Sequence, residues 1–197
     1  MQEIKLNLGC SDDLKPGYVN VDSHIPYNER PRDLRDALFH SSIGAYNFSD
    51  AVVYVMDMRE SWAPKNDSID GIYAKDVFEH VDNASFPGNR GKIWVLNESY
   101  RVLKNGARLE MLVPCVHMRD MTINPGAFAD PTHVSFWTYD DRYYFTEEWN
   151  NPQGERGRLG PAYGVTCRFK VIVWELQEYG GPGERRSKIH AVLEAVK

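Results

Sequence analysis

The most constraining stretch of this chain is residues 4–22. Ile4, Leu6 and Leu8 alternate with polar neighbours and stop at Gly9, and a second short apolar run, Val19 and Val21, stops at Asp22. Period-two alternation predicts a strand at each run. Glycine between them permits a tight turn and lets the backbone pass close to a ligand. The outline is strand, glycine turn, strand, carboxylate, which suits a nucleotide-type cofactor, with Asp22 positioned to accept hydrogen bonds from ribose hydroxyls. One glycine stands where a dinucleotide fingerprint has three, which disfavours a nicotinamide-dependent oxidoreductase. The spacing from Gly9 to Asp22 is also short for a parallel crossover, which takes about a dozen residues or more. A single helical turn or a degenerate helix is expected there.

Apolar runs continue to alternate with helical or irregular segments, the pattern of an α/β chain. Residues 51–56 and 68–74 read as the third and fourth strands. Between them and the opening, 26–50 starts irregular and then offers a short helix over 33–39 on Leu34, Ala37 and Leu38. The spacing of Ile93, Trp94, Leu96, Tyr100 and Leu103 predicts an amphipathic helix over 90–103, stopped by Lys104-Asn105-Gly106, and 107–114 follows as the fifth strand. Residues 115–162, rich in aromatics, Pro, Asp and His, lack clean periodicity and read as a substrate-side insertion. Two long strands, 165–178 and 187–196, flank a glycine-rich turn and predict an antiparallel pair at the sheet edge. The expected architecture is one domain over 1–197, a mostly parallel sheet with an antiparallel C-terminal edge pair.

Composition narrows the function classes. With 197 residues, 42% hydrophobic and 26% charged, the chain suits one compact domain with a sizeable core. No window approaches the roughly 20 apolar residues of a membrane span, and the N-terminus lacks signal-peptide regions, so a cytoplasmic location and no membrane partner are expected. Cys10, Cys115 and Cys167 are too few for a disulfide framework. A formal charge of −5 argues against broad binding to duplex nucleic acid.

The order of these motifs resembles the class I S-adenosylmethionine-dependent methyltransferases, in particular small members that open with LNLGCG and GYxNVD. The matching residues are Leu6 to Ser11 with Tyr18 to Asp22, Asp57 and Met58 after the third strand, 68–81 with its Glu79-His80, and the 100–109 helix-to-strand turn. The resemblance implies a Rossmann-like fold and S-adenosylmethionine as cofactor. It implies that Leu8, Gly9, Cys10 and Ser11 cradle the methionine part, Asp22 holds the ribose, Asp57 receives the adenine amino group with Met58 beside the ring, and Asp76 belongs to the same cofactor set. Ser11 replaces the family's usual second glycine, and Asn105 and Ala107 replace its Pro and Gly. Serine is small and asparagine tolerates a left-handed turn, so neither change forbids the fold.

Methyl transfer from a sulfonium is an in-line displacement on an activated carbon, so the protein mainly aligns the reactants and excludes water. Where the acceptor must lose a proton, the segment Asp130-Pro131-Thr132-His133, which resembles a DPTH element of some of these methyltransferases, offers His133 as general base with Asp130 to orient it. The alternative is a turn at Asp130 and a packed histidine. His80, Trp137 and Tyr139 are candidates for acceptor binding, although aromatics at such density also build cores. His117, Asp120, Asp130 and His133 carry metal-ligand chemistry but no tight motif, and no metal is expected. Arg156, Arg158, Arg168, Lys170, Arg185, Arg186 and Lys188 either meet an anionic acceptor or solvate the surface. Two functions follow: methyl transfer to a small metabolite, sugar or nucleotide-linked acceptor, or a catalytically silent domain that keeps the fold and binds the cofactor or a partner.

Overall fold

The computed structural model describes residues 3–11, 13–23, 44–48, 51–82, 91–147, 161–181 and 184–197. Strands β1 (Lys5–Leu8), β2 (Val19–Asp22), β3 (Gly44–Phe48), β4 (Ala51–Val55), β5 (Ile69–Lys75), β6 (Leu103–Pro114), β7 (Phe169–Tyr179) and β8 (Arg186–Ala195) form one sheet in the order β3-β4-β2-β1-β5-β6-β8-β7. The five central strands, β4 to β6, run parallel, while β3, β7 and β8 pair antiparallel. A mostly parallel sheet with an antiparallel C-terminal pair is the expected architecture. From β1 the chain steps outward through β2 to β4, then returns to β5 on the other side of β1. That reversal makes the carboxyl ends of β1 and β5 the topological switch point, the place where open α/β sheets bind ligands.

Between β1 and β2 the described residues form turns and no helix. Two buried asparagines do the bridging instead: Asn7 Nδ2 donates to Asn20 Oδ1 and to the Asp13 carbonyl, both at 2.8 Å, and the Lys15 amide donates to Asn20 Oδ1 at 2.9 Å. Side chains thus satisfy backbone groups that a helix would have satisfied internally. Neither the helical turn nor the degenerate helix expected there is seen among the described residues.

β3 was not anticipated, because its Gly-Ala-Tyr-Asn-Phe sequence has little strand propensity. Its order comes from the ladder with β4, Gly44 opposite Val55 through Phe48 opposite Ala51. The helix expected over 33–39 lies outside the described residues. Helix α1 (Gly91–Val102) is one residue shorter at each end than expected, and the chain passes from it directly into β6 at Leu103. A register shift, with Ile69 opposite Leu103 but Gly71 opposite Arg108, absorbs the turn at Gly106, where φ is +77°.

The core follows the alternation. Leu6, Leu8, Val21, Ile72, Leu109, Met111, Val113, Ile189, Ala191 and Leu193 are buried along the strands, and α1 adds Val95, Leu96 and Val102. Each fully buried Leu, Ile or Val contributes roughly 1.5–3 kcal/mol relative to exposure. After β6, residues 115–147 fold over the sheet end with three 3₁₀ turns or short helices: Pro125–Ala127, Tyr139–Asp141 and α2 (Arg142–Phe145). Among the described residues no helix is long and apolar enough to cross a membrane.

Candidate functional site

At the switch point, Gly9 sits at φ +62°, and a Cβ there would lie 2.4 Å from Val77 Cγ2. The glycine is therefore required by the protein's own packing as well as by its backbone conformation. Ser11, at φ +41°, donates its amide to Asp22 Oδ2 at 2.8 Å, so the carboxylate at the end of β2 is tied to the glycine turn. Leu8 and Cys10 are buried, with the Cys10 amide donating to the Val21 carbonyl at 3.1 Å. Burial, helped by the nearby Asp22, pushes the Cys10 thiol up to about 12, which removes it as a nucleophile.

Asp57 follows β4 and forms an ion pair with Arg59 at 2.6 Å, strengthened by the Arg59 amide. Met58 is buried, and its carbonyl accepts from the indoles of Trp62 and Trp94 at 3.2 and 2.9 Å. Asp76 follows β5 at φ +53°, with Oδ2 held by Lys188 at 2.5 Å. Its Oδ1 is buried without a hydrogen-bond partner among the described residues. Asp57, Asp22, Gly9 and Asp76 thus stand along one sheet edge, whereas the side chains of Leu8, Cys10 and Met58 face inward.

A second cluster lies just past Asp76. The 3₁₀ turn Phe78–His80 is bound to the segment after β6, since the Glu79 carbonyl accepts from the amides of Val134 and Ser135 at 2.8 and 2.9 Å. Glu79 is 2% exposed. Its Oε1 lies 4.0 Å from His133 Nε2, and its Oε2 is buried without a partner among the described residues. Burial above all, with the charges of Asp76 and Asp130 adding to it, pushes the Glu79 carboxyl up to about 8. The rings of His80 and His133 meet edge to face, 4.8 Å between centroids.

His133 is not oriented by Asp130. Its Nδ1 lies 2.9 Å from the Ala127 carbonyl, which can only accept, so Nδ1 carries the proton. Asp130 Oδ1 instead takes the Thr132 hydroxyl at 2.6 Å and the Thr132 amide at 2.8 Å, bonds that hold its carboxyl below the usual range. Because the Thr132 proton goes to Asp130, Thr132 Oγ1 accepts from His80 Nδ1 at 2.9 Å. A carboxylate two residues ahead of a Thr-His pair satisfies the nearer hydroxyl and amide first, an Asx-type turn. The Asp130 pairing expected from the sequence therefore belongs to His80, through Thr132.

Trp137 is wholly inside the core, bridged to Cys115. Tyr139 is half-buried and lines a cavity of about 710 Å³ with His117, Met118, Tyr144, Trp174 and Leu176. Its hydroxyl donates to the Trp174 carbonyl at 3.1 Å, and the Trp174 indole donates back to the Tyr139 carbonyl at 3.0 Å. Asp120 pairs with Arg185 at 3.0 Å, and His117 lies along the cavity, so the four-residue metal grouping considered from the sequence does not assemble. The structure assembles Glu79, His80 and His133 instead, with ligand atoms within 4.8 Å of one another. Arg185 and Lys188 are engaged in ion pairs with Asp120, Glu178 and Asp76, whereas Arg156 and Arg158 lie outside the described residues. Glu79 was visible in the sequence only as the neighbour of His80. Its burial was not.

No protein-family model matches the chain, and no curated protein matches it in sequence. Solved structures do match in fold. A candidate methyltransferase of Bacillus halodurans C-125 superposes with a TM-score of 0.58 at 12% identity, covering 100% of this chain and 94% of that one. The candidate methyltransferase in a complex with the Haloferax volcanii Trm112 methyltransferase activator gives 0.54 at 13% identity, over 100% and 84%. Phosphoethanolamine N-methyltransferase 2 of Haemonchus contortus, solved with phosphomonomethylethanolamine and S-adenosylhomocysteine, gives 0.52 at 10% identity, over 100% of this chain and 49% of that one. The chain carries the Rossmann-like fold of the class I S-adenosylmethionine-dependent methyltransferases.

Proposed function

We propose that the chain binds S-adenosylmethionine at the switch point between β1 and β5 and transfers its methyl group to a small-molecule acceptor. The observation that carries the reading is the Asp22 carboxylate, fixed at the end of β2 by the Ser11 amide beside the glycine turn. Asp22 receives the ribose hydroxyls, Asp57 the adenine amino group, and the turn from Gly9 to Ser11 lies along the methionine part. The residues fit such a group, because the buried Asp76 Oδ1 has no donor among the described residues and an amino-acid ammonium would supply one. When bound, the cofactor supplies an activated methyl carbon. The chain's own part is to align the acceptor with it and to exclude water.

The acceptor is read as a small metabolite, a sugar or a nucleotide-linked group approaching over the segment after β6, with His133, Asp130, His80 and Tyr139 on its side of the site. The net charge of −5 disfavours duplex nucleic acid. The test is to incubate the purified chain with methyl-labelled S-adenosylmethionine and fractionated small metabolites, following S-adenosylhomocysteine. Acceptor-dependent release supports an enzyme. Saturable cofactor binding with no release from any fraction supports the silent-domain alternative instead.

A further inference from the structure

We propose that Glu79, His80 and His133 bind one divalent transition-metal ion of the Zn²⁺ type, with coordination positions left open toward the acceptor. Two residues come from the turn after β5 and one from the segment after β6, yet their ligand atoms gather within 4.8 Å.

Both imidazoles are set for the task. His133 gives its Nδ1 proton to the Ala127 carbonyl, and His80 gives its own to Thr132, itself gripped by Asp130. Metal-ligating histidines commonly donate one ring N–H to an oxygen acceptor in this way, which fixes the tautomer and aims the other nitrogen's lone pair at the ion. Here the remaining atom is Nε2 in each ring.

The carboxylate supplies the second observation. Glu79 is 2% exposed, and its Oε2 meets no donor among the described residues. A buried carboxylate left without a donor is costly, so a cation at this place would relieve what the protein's own groups do not. The 4.0 Å between Glu79 Oε1 and His133 Nε2 is too long for a hydrogen bond. Two ligands of one tetrahedral ion with bonds of about 2.0–2.2 Å stand roughly 3.3–3.6 Å apart, so Glu79 and His133 would draw together by about half an ångström on binding it. His80 is exposed, so its side chain has room to close on the ion.

Two imidazoles and one carboxylate suit Zn²⁺ and its first-row neighbours over Mg²⁺ or Ca²⁺. Three protein ligands leave an open position, as catalytic sites do and structural ones do not. An ion there would polarise an acceptor oxygen, which points to a hydroxyl-bearing acceptor. That last step rests on the methyl-transfer reading, whereas the ion site does not.

The test titrates the full chain, freed of metal by a chelator, with Zn²⁺ alone by calorimetry and with Co²⁺ by visible absorption. One ion per chain is expected, with Glu79→Gln and His80→Ala each weakening binding at least tenfold and abolishing the Co²⁺ bands. His190 lies between Glu110 and Glu175 at 3.2 and 3.1 Å, and His190→Gln should leave the titration unchanged. Because His80 is exposed, His80→Ala should keep its melting temperature, so loss of binding is not loss of fold. Absence of saturable binding in the parent, binding unmoved by both site variants, or binding that follows His190 overturns the proposal. S-adenosylhomocysteine titrated into the same samples separates the two readings. Cofactor binding without the ion sinks only the ion site, and the ion without the cofactor sinks only methyl transfer.

Discussion

The two halves of the site are built by different physics. On the side proposed for the cofactor, Asp22, Asp57 and Asp76 each stand at or just past the end of a parallel strand, so strand register places them. On the side proposed for the acceptor, Asp130, Thr132 and His133 belong to an irregular segment held by hydrogen bonds to the turn at 78–81, across a sequence separation of 52 residues between Thr132 and His80. A ladder fixes many positions at once. A stitched loop depends on each stitch, so substitutions on the two sides should fail differently.

The largest effect is expected where the stitched segment meets α1. A Cβ on Gly91 would lie 1.8 Å from the Val81 carbonyl oxygen and 2.9 Å from Ser135 Oγ. Backbone cannot yield cheaply, so Gly91→Ala should cost about 3 kcal/mol or more. For a chain of this size that lowers the melting temperature by roughly 6–12 °C. Gly106→Ala, at φ +77° with open space around it, should cost only about 1–2 kcal/mol. Equal melting temperatures for the two variants would remove the tight joint between the acceptor segment and the helix.

Asp22→Ala probes the ladder side. Charge-assisted hydrogen bonds contribute roughly 1.5–3 kcal/mol, so affinity for S-adenosylhomocysteine should fall about tenfold to a hundredfold with the melting temperature nearly constant. Thr132→Val probes the stitched side by removing the hydroxyl between Asp130 and His80. Zn²⁺ affinity should fall about tenfold, in the range usual for outer-shell partners, while cofactor affinity stays the same. Calorimetry on the two variants should give crossed results, each ligand sensitive to one substitution only.

The smallest effect concerns acid stability. The Thr122 hydroxyl and amide, then Arg185, hold the Asp120 carboxyl down at about 2, below its ordinary 3.8. A depressed carboxyl stabilises the fold above its unfolded value, and that contribution is lost as pH falls from about 4 toward 2. Asp120→Asn should therefore lower the melting temperature slightly at pH 7, with the difference from the parent closing as pH falls from about 4 toward 2. The effect is small because the pair is exposed and screened.

The same division explains what the sequence made legible. Leu6, Leu8 and Val21 announced β1 and β2 through period two, the spacing of Ile93, Trp94, Leu96 and Tyr100 announced α1, and the 165–178 and 187–196 runs correspond to β7 and β8, although β7 begins only at Phe169. β3 was silent because ladder partnership, not propensity, orders it. The asparagine-bridged crossover was silent because Asn7 and Asn20 look like ordinary polar strand residues until they are buried together. At the site, the acidic positions at the strand ends were readable one by one. The wrong partner for Asp130, the core position of Trp137 and the burial of Glu79 all depend on contacts between distant segments, which no local spacing encodes.

The most direct measurement is calorimetric titration of the full chain with S-adenosylhomocysteine and, separately, with NAD. Saturable one-to-one binding of the sulfur nucleotide is expected, with a rise in melting temperature because the ligand binds the native state, and no comparable binding of NAD. Saturable NAD binding with none for S-adenosylhomocysteine would contradict a methyl-donor site built on Gly9, Ser11 and Asp22.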